Sequence, residues 1–475
     1  MCQLAHSLEN HLPIQAIPGI ICKNGRNNGF HSSVLRREIT NLDLIPIPDY
    51  AGFDYQKYLD SQDNHIAFII ASRSCPFSCT FCFHPSGRIY RQRSLDNLLK
   101  EIEFLMVKYG LKCFSIVDEL FATKRERILQ FCERISRYNV TWALQQRVND
   151  VDRDILRIMR DSGCITVSYG IESADNKVLK SMKKQITIQQ TENALQITQQ
   201  ANLDIQGGLI FGDVAETPET VLNSLHWNDT HPQYALELNM IHIFPGTPLY
   251  AYAVAKGIIK DRVEYLKSGV PLVNLSQLSD QEYKDLSSLL YEKNMRAKNP
   301  PQELTVSEMD SFQKAKVTMK CNRCRKEQTF ILDGLHISRI LCSSCNQRHY
   351  VDPFQKLNHS PDMLLNILPK NGPTALWGAG EMCIKLLDAY PFFKHEDYVV
   401  VDISKSRQGY TVCGKYIYSP HTILEKNIRS VILTVIHRKD EIVKEIESKY
   451  AQVSKLYIPD IVKTQGNHYL TLREL

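Results

Sequence analysis

At 475 residues the chain is too long for one ordinary core, and two or three domains are expected. It is 43% apolar and 23% charged, the balance of a soluble globular protein, and no run of eighteen apolar residues could span a bilayer. The net charge of +5 singles out no partner, and the first twenty residues, broken by Glu9, Asn10, His11 and Pro13, carry no signal-peptide pattern; a cytoplasmic protein without a membrane partner is expected.

Residues 1–60 show weak periodicity and many Asn, Pro and Gly, and Pro46 and Pro48 keep their segment extended. They read as an extension and linker. A short apolar run, Ala67 to Ala71, then leads into Cys75-Pro-Phe-Ser-Cys79-Thr-Phe-Cys82. Fourteen cysteines in a cytoplasmic chain point to metal sites rather than disulfides, and an odd group of three argues against a disulfide framework. Three thiolates on one loop can hold three irons of a cubane and leave the fourth open. A zinc site completed by His84 is the alternative.

From Ala67 to about Ile243, short β-branched runs alternate with helical patterns, as in parallel β/α units. Strands are expected at 67–72, 113–117, 141–145, 165–168, 203–211 and 237–243. A helix capped by Ser94 carries an apolar stripe from Leu95 to Met106, and another runs from Asp152 to Asp161 and stops at Gly163. Six units make a partial barrel, an α/β fold whose chemistry gathers at the C-terminal strand ends. There lie Asp118-Glu119, Arg147, Gly170-Ile-Glu172-Ser173, Gly208-Leu-Ile210-Phe-Gly212 and the passage from His242 to Tyr250.

With these residues in place the chain resembles the radical S-adenosylmethionine (radical SAM) superfamily, whose cysteine loop has this spacing with an aromatic residue, here Phe81, before the last cysteine. The resemblance is to the cobalamin-linked and methylthiotransferase-like groups. It implies a partial (β/α)6 radical SAM barrel over 61–300, a [4Fe-4S] cluster on Cys75, Cys79 and Cys82, and SAM on the open iron. It further implies SAM-side contacts at Glu172 and Ser173 and adenine-side contacts at Ile210 and Gly212. The family's acid comes one place late here, at Glu216. An ion pair with a nearby lysine or arginine is the plainer reading of Glu172. Only 66 residues precede the first strand and no Asp-x-His-x-x-Gly signature occurs, so no cobalamin partner is expected.

Residues 250–310 read as polar helix. Cys321-Asn-Arg-Cys324 and Cys342-Ser-Ser-Cys345 then form paired knuckles, the pattern of a four-thiolate zinc ribbon, placed at 311–352; a rubredoxin-like iron or an auxiliary cluster uses the same ligands. Between Ser311 and Tyr350, eight Lys or Arg face only Glu327 and Asp333, a local charge of +6. These cations either grip nucleic acid or offset the site's own negative charge, the second being preferred. A Rossmann-like domain is expected over 370–465. Gly378 and Gly380 match the first two glycines of a dinucleotide fingerprint, Cys383 replaces the third, and Asp402 stands at the distance of a ribose-binding acid. This domain binds a nucleotide or nucleotide sugar, or serves only for docking.

The expected function is cleavage of SAM to a 5'-deoxyadenosyl radical that abstracts hydrogen from a small-molecule substrate, such as a sugar or nucleotide sugar. A flavodoxin or ferredoxin would donate the electron. Modification of RNA or protein held by the ribbon, and a non-catalytic iron-sulfur or zinc adaptor, are the alternatives.

Overall fold

The computed structural model describes residues 2–14, 17–23, 30–33, 38–60, 66–309, 314–333, 335–370, 372–464 and 467–475. The expected domain starts at 61 and 311 lie outside the described residues. The chain divides into two compact units, residues 1–76 with 84–121 and residues 77–83 with 122–475, so the division falls within the cysteine loop.

In the first unit, β1 (Ile66–Ile69) pairs in parallel with β2 (Cys113–Ile116), joined through the helix Leu95–Tyr109. Ser94 caps that helix by accepting the Asn97 N–H, and Gly110 closes it in the left-handed conformation. Its stripe buries Leu95, Leu98, Leu99, Ile102 and Leu105. The N-terminal stretch, read as a linker, carries a helix, Cys2–Glu9, and a short antiparallel pair, Ile21–Lys23 with Phe30–Ser32.

In the second unit, β3 (Thr141–Gln146), β4 (Cys164–Glu172), β5 (Asp204–Phe211) and β6 (Glu237–Met240) lie parallel, each paired with the next. Counted together with β1 and β2, these are the six parallel strands expected of a partial barrel, in an α/β fold. The β4 strand runs four residues past its expected end, to Glu172, because a register shift between Gly170 and Glu172 lets the pairing continue. The β6 strand stops three residues early, before the turn at His242–Phe244.

The reading of 250–310 as helix holds for Pro248–Ala255, Arg262–Lys267 and Asp280–Asn294 but fails at Glu303–Met309. That segment is a strand, because Leu304, Val306 and, after a register shift between Val306 and Glu308, Met309 pack inward as it pairs with Lys314–Lys320. Glu327–Asp333 completes this antiparallel sheet, and Ser338–Leu341 pairs with Arg348–Val351 beside it.

The C-terminal sheet has the spatial order Thr411–Val412, Lys415–Tyr418, Tyr398–Val401, Thr374–Trp377, Ser430–Leu433, Lys455–Thr464 and Asn467–Glu474. Its five central strands are parallel and both edges antiparallel. One of its cores also holds ribbon residues Ala315, Val317, Met319, Leu335 and Val351. No helix among the described residues is long and apolar enough to cross a membrane.

Candidate functional site

In the second unit, the loop 77–83 lies on the turn 182–184. The Met182 carbonyl accepts the Thr80 N–H at 3.0 Å, and the Lys183 carbonyl stands 3.9 Å from Cys79 Sγ. Lys183 itself is in the left-handed region, at φ 54°. Within the loop the Cys82 N–H closes on the Cys79 carbonyl at 3.2 Å, and the Thr80 carbonyl accepts the Leu249 N–H at 3.1 Å. Cys79 is buried, whereas Cys75 and Cys82 are half-buried.

Arg147, at the end of β3, spreads its guanidinium over the Phe77 ring, 3.6 Å from the centroid, and donates from Nη2 to the Lys184 carbonyl at 2.7 Å. Burial raises the Cys79 thiol, while Lys184 and Arg147 pull it back down and Glu172 adds to the rise.

Glu172 ends β4 at φ 68° and pairs with Lys184 Nζ at 2.7 Å; both side chains are mostly buried. Gly170 makes room for that pair, since a Cβ there would stand 2.4 Å from Lys184 Nζ and 2.6 Å from Glu172 Oε1. The lysine partner weighed in the plainer reading of Glu172 is therefore Lys184. Ser173 is 1% exposed; its hydroxyl accepts the Asp175 N–H at 3.1 Å and lies 3.3 Å from Ser224 Oγ, so it is engaged in opening the helix Asn176–Ser181.

Phe81 and Ile210 pack against one apolar cluster that includes Val178, Met182, Ile241, Ile243 and Leu249. Gly212 has φ 109°, which a side chain would strain, and its N–H donates to the Glu216 carboxylate. The acid that comes one place late thus still returns to the glycine loop. Glu216 is 1% exposed, and burial pushes it up to about 7 against the opposing Gly212 hydrogen bond. Its Oε1, like Thr80 Oγ1 in the cysteine loop, is buried with no hydrogen-bond partner among the described residues. In the first unit, His84 Nδ1 is taken by Glu119 Oε2 at 3.2 Å.

The four ribbon cysteines come together. Their sulfurs all lie within 4.8 Å of one another, with Cys321 to Cys345 at 3.6 Å and Cys324 to Cys342 at 3.5 Å. A tetrahedron of Zn–S bonds near ~2.3 Å has edges of about 3.8 Å, so the spacing fits. The two knuckles share one geometry. Arg325 N–H returns to the Cys321 carbonyl and Asn346 N–H to the Cys342 carbonyl, with Arg325 and Asn346 both left-handed. Gln328 Nε2 donates to Cys342 Sγ at 3.2 Å, and His349 Nε2 lies 3.3 Å from Cys321 Sγ. Although burial opposes it, backbone N–H groups of Ser344 and Cys345 bring Cys342 down to about 7, toward the thiolate a metal needs.

The ribbon's cations are largely spent inside the protein. Arg348 is buried against Asp204 of β5, Lys320 and Arg325 meet Glu303, Lys316 meets Glu308, and Arg323 donates to the Cys345 carbonyl.

Gly378, Gly380 and Asp402 also converge. The Ala379 N–H donates to Asp402 Oδ2 at 2.8 Å and the Ser404 N–H to Oδ1 at 2.8 Å, so the carboxylate closes the chain's own glycine loop. Cys383, in the third glycine's place, is fully buried in the core. Arg147 and Lys184 were the members of the cysteine-loop geometry that the sequence left without a role, while Glu216 was singled out only as the family's acid displaced by one place. For Arg147 the signal was its position at a strand end and not its residue type.

Comparison with known proteins gives a match to the radical SAM superfamily over residues 69–227. That stretch is a radical SAM domain. An uncharacterised methyltransferase of Pyrococcus horikoshii is 28% identical over 261 residues, 54% of this chain and 56% of the relative. The anaerobic magnesium-protoporphyrin IX monomethyl ester cyclase of Rubrivivax gelatinosus is 31% identical over 208 residues, 42% of this chain and 37% of the relative. The chain thus spans about half or less of the length of these relatives. Among solved structures, a radical SAM methyltransferase of Kitasatospora setae, bound to tryptophan and a SAM analogue, aligns with a TM-score of 0.47 at 18% identity, over 54% of this chain and 52% of that one.

The radical SAM domain implies a [4Fe-4S] cluster and SAM, and the residues present fit them. One loop supplies three cysteines, and beside the strand ends the buried Glu216 Oε1 and Thr80 Oγ1 have no hydrogen-bond partner among the described residues. The ribbon's four sulfurs fit a metal ion.

Proposed function

We propose that this chain is a radical SAM enzyme acting on a carbon–hydrogen bond of a small-molecule substrate. The observation that carries the reading is the seat of the cysteine loop: carbonyls of Met182 and Lys183 beneath it, with the Glu172–Lys184 pair on the next residue. Cys75, Cys79 and Cys82 would hold the cluster. With SAM bound, that group supplies one-electron cleavage of the sulfonium bond and a 5'-deoxyadenosyl radical able to take hydrogen from an unactivated carbon.

The protein's own part is to bind, orient and exclude water. Glu172 offers a carboxylate to a cationic amine, Ile210 and Gly212 line the adenine side, and Phe81 keeps the approach apolar. Ser173, buried and engaged with Asp175 and Ser224, supports that strand end from behind. A flavodoxin or ferredoxin supplies the electron. The relatives' names, methyltransferase and cyclase, put methyl transfer or ring closure on carbon beside simple hydrogen abstraction as outcomes. A nucleotide sugar held by the Gly378–Asp402 domain is the finer reading of the substrate, and no cobalamin is required.

The test is anaerobic reconstitution of the full chain, counting of iron and zinc, and mass spectrometry of SAM products with and without nucleotide sugars. Cys79-dependent 5'-deoxyadenosine is expected. Methylthioadenosine or S-adenosylhomocysteine in its place would overturn hydrogen abstraction, and uptake of added hydroxocobalamin would overturn the cobalamin-free reading.

A further inference from the structure

We infer that Arg147 is a positioning residue for the cysteine loop, clamping loop 77–83 to the turn that carries it and placing a fixed positive charge beside Cys79; this rests on the cluster reading above. Arg147 is 8% exposed, and every contact of its guanidinium is directional. Its face lies on Phe77, two residues after Cys75. Its edges donate to the Lys184 carbonyl at 2.7 Å, the Gln185 carbonyl at 3.4 Å and Asn149 Oδ1 at 3.3 Å. Lys184 adjoins the Lys183 carbonyl that faces Cys79 Sγ and follows the Met182 carbonyl that holds Thr80. One planar group therefore joins the end of β3, the loop and its seat. A lysine ammonium cannot reproduce that set, because it has no flat face to stack and no rigid fork.

The charge is the second part of the argument. Among the described residues Arg147 forms no salt bridge; the carboxylate that feels its charge is Asp150, whose ionised form it favours against burial, while its neighbour Lys184 is matched by Glu172. A guanidinium does not lose its proton, so a buried one with no carboxylate in direct contact gains from a further anion nearby. Three thiolates on a cubane of charge 2+ make a site of −1, which becomes −2 when one electron enters. A fixed cation favours the state with the extra electron.

The experiment compares wild type, R147M, R147K and F77L after anaerobic reconstitution, by iron content, rate of iron loss to a chelator, thermal unfolding and EPR-monitored redox titration. R147M is expected to show an about tenfold lower ratio of reduced to oxidised cluster at a fixed potential, equivalent to about 59 mV for one electron. R147K should recover most of that ratio but lose iron faster than wild type. F77L, which keeps the charge, should leave the ratio unchanged and also lose iron faster. If R147M unfolds at the wild-type temperature yet takes up no iron, the clamp is supported, and F77L and R147K then decide the electrostatic part. Identical potentials and identical iron loss in R147M and wild type would overturn the proposal. Failure of wild type to take up iron at the loop would instead overturn the cluster reading.

Discussion

Replacing Glu216 by Gln isolates the cost of keeping a buried carboxylate beside the Gly212 loop. Gln keeps the shape and leaves an oxygen to accept the Gly212 N–H, but it cannot ionise. Burial raises Glu216 from an ordinary 4.5 to about 7. That interval, at ~1.36 kcal/mol per pKa unit, is about 3 kcal/mol. Because the folded state holds this proton more tightly than the unfolded state, wild-type stability is lost as pH rises from about 4.5 through about 7. E216Q has no such loss. Denaturant unfolding of the full chain at pH 5 and pH 8 is the assay. The gain of E216Q over wild type should be about 2–3 kcal/mol larger at pH 8 than at pH 5, where part of the loss has already occurred. An equal difference at both pH values would refute the reasoning, since it would mean that Glu216 titrates alike in the folded and unfolded chain.

Three other outcomes follow from the geometry. D204A leaves the Arg348 guanidinium buried without its partner and should cost ~3–5 kcal/mol, whereas D204L/R348M should recover most of it; denaturation midpoints of these two variants and wild type decide. C342S should lower the metal content bound at the ribbon, zinc or iron, read by metal analysis, and expose the 303–351 segment to protease, while iron reconstituted at the cysteine loop is retained. G170A drives a methyl group into the Glu172–Lys184 pair and should reduce SAM affinity more than global stability, measured by equilibrium binding and by thermal unfolding.

The four ribbon cysteines were legible because cysteine spacing is a chemical constraint that survives without any knowledge of the fold. Cys321, Cys324, Cys342 and Cys345 meet as the paired knuckles require. The strand Thr374–Trp377 was legible as a buried β-branched and aromatic run between a proline and a glycine. Glu303–Met309 was not, because its charged and β-branched residues alternate only weakly and its inward face exists only once Lys314–Lys320 lies beside it. The roles of Arg147 and Lys184 were equally hidden. A lysine and an arginine among 57 in the chain acquire meaning only from the carbonyl, ring and carboxylate that the fold brings to them.

The ribbon, lastly, reaches in two directions. Through Arg348 it grips Asp204 of the barrel, and through Asp352 and the Leu335 carbonyl it grips Lys385 of the C-terminal domain. The ribbon that its four gathered cysteines hold together is therefore a keystone rather than an ornament. A fragment cut after the helix Asp280–Asn294 would leave Asp204 without its cation, and one begun at the Thr374–Trp377 strand would leave Lys385 without Asp352. Neither half is expected to behave as an autonomous module, and dissection by truncation would misreport both.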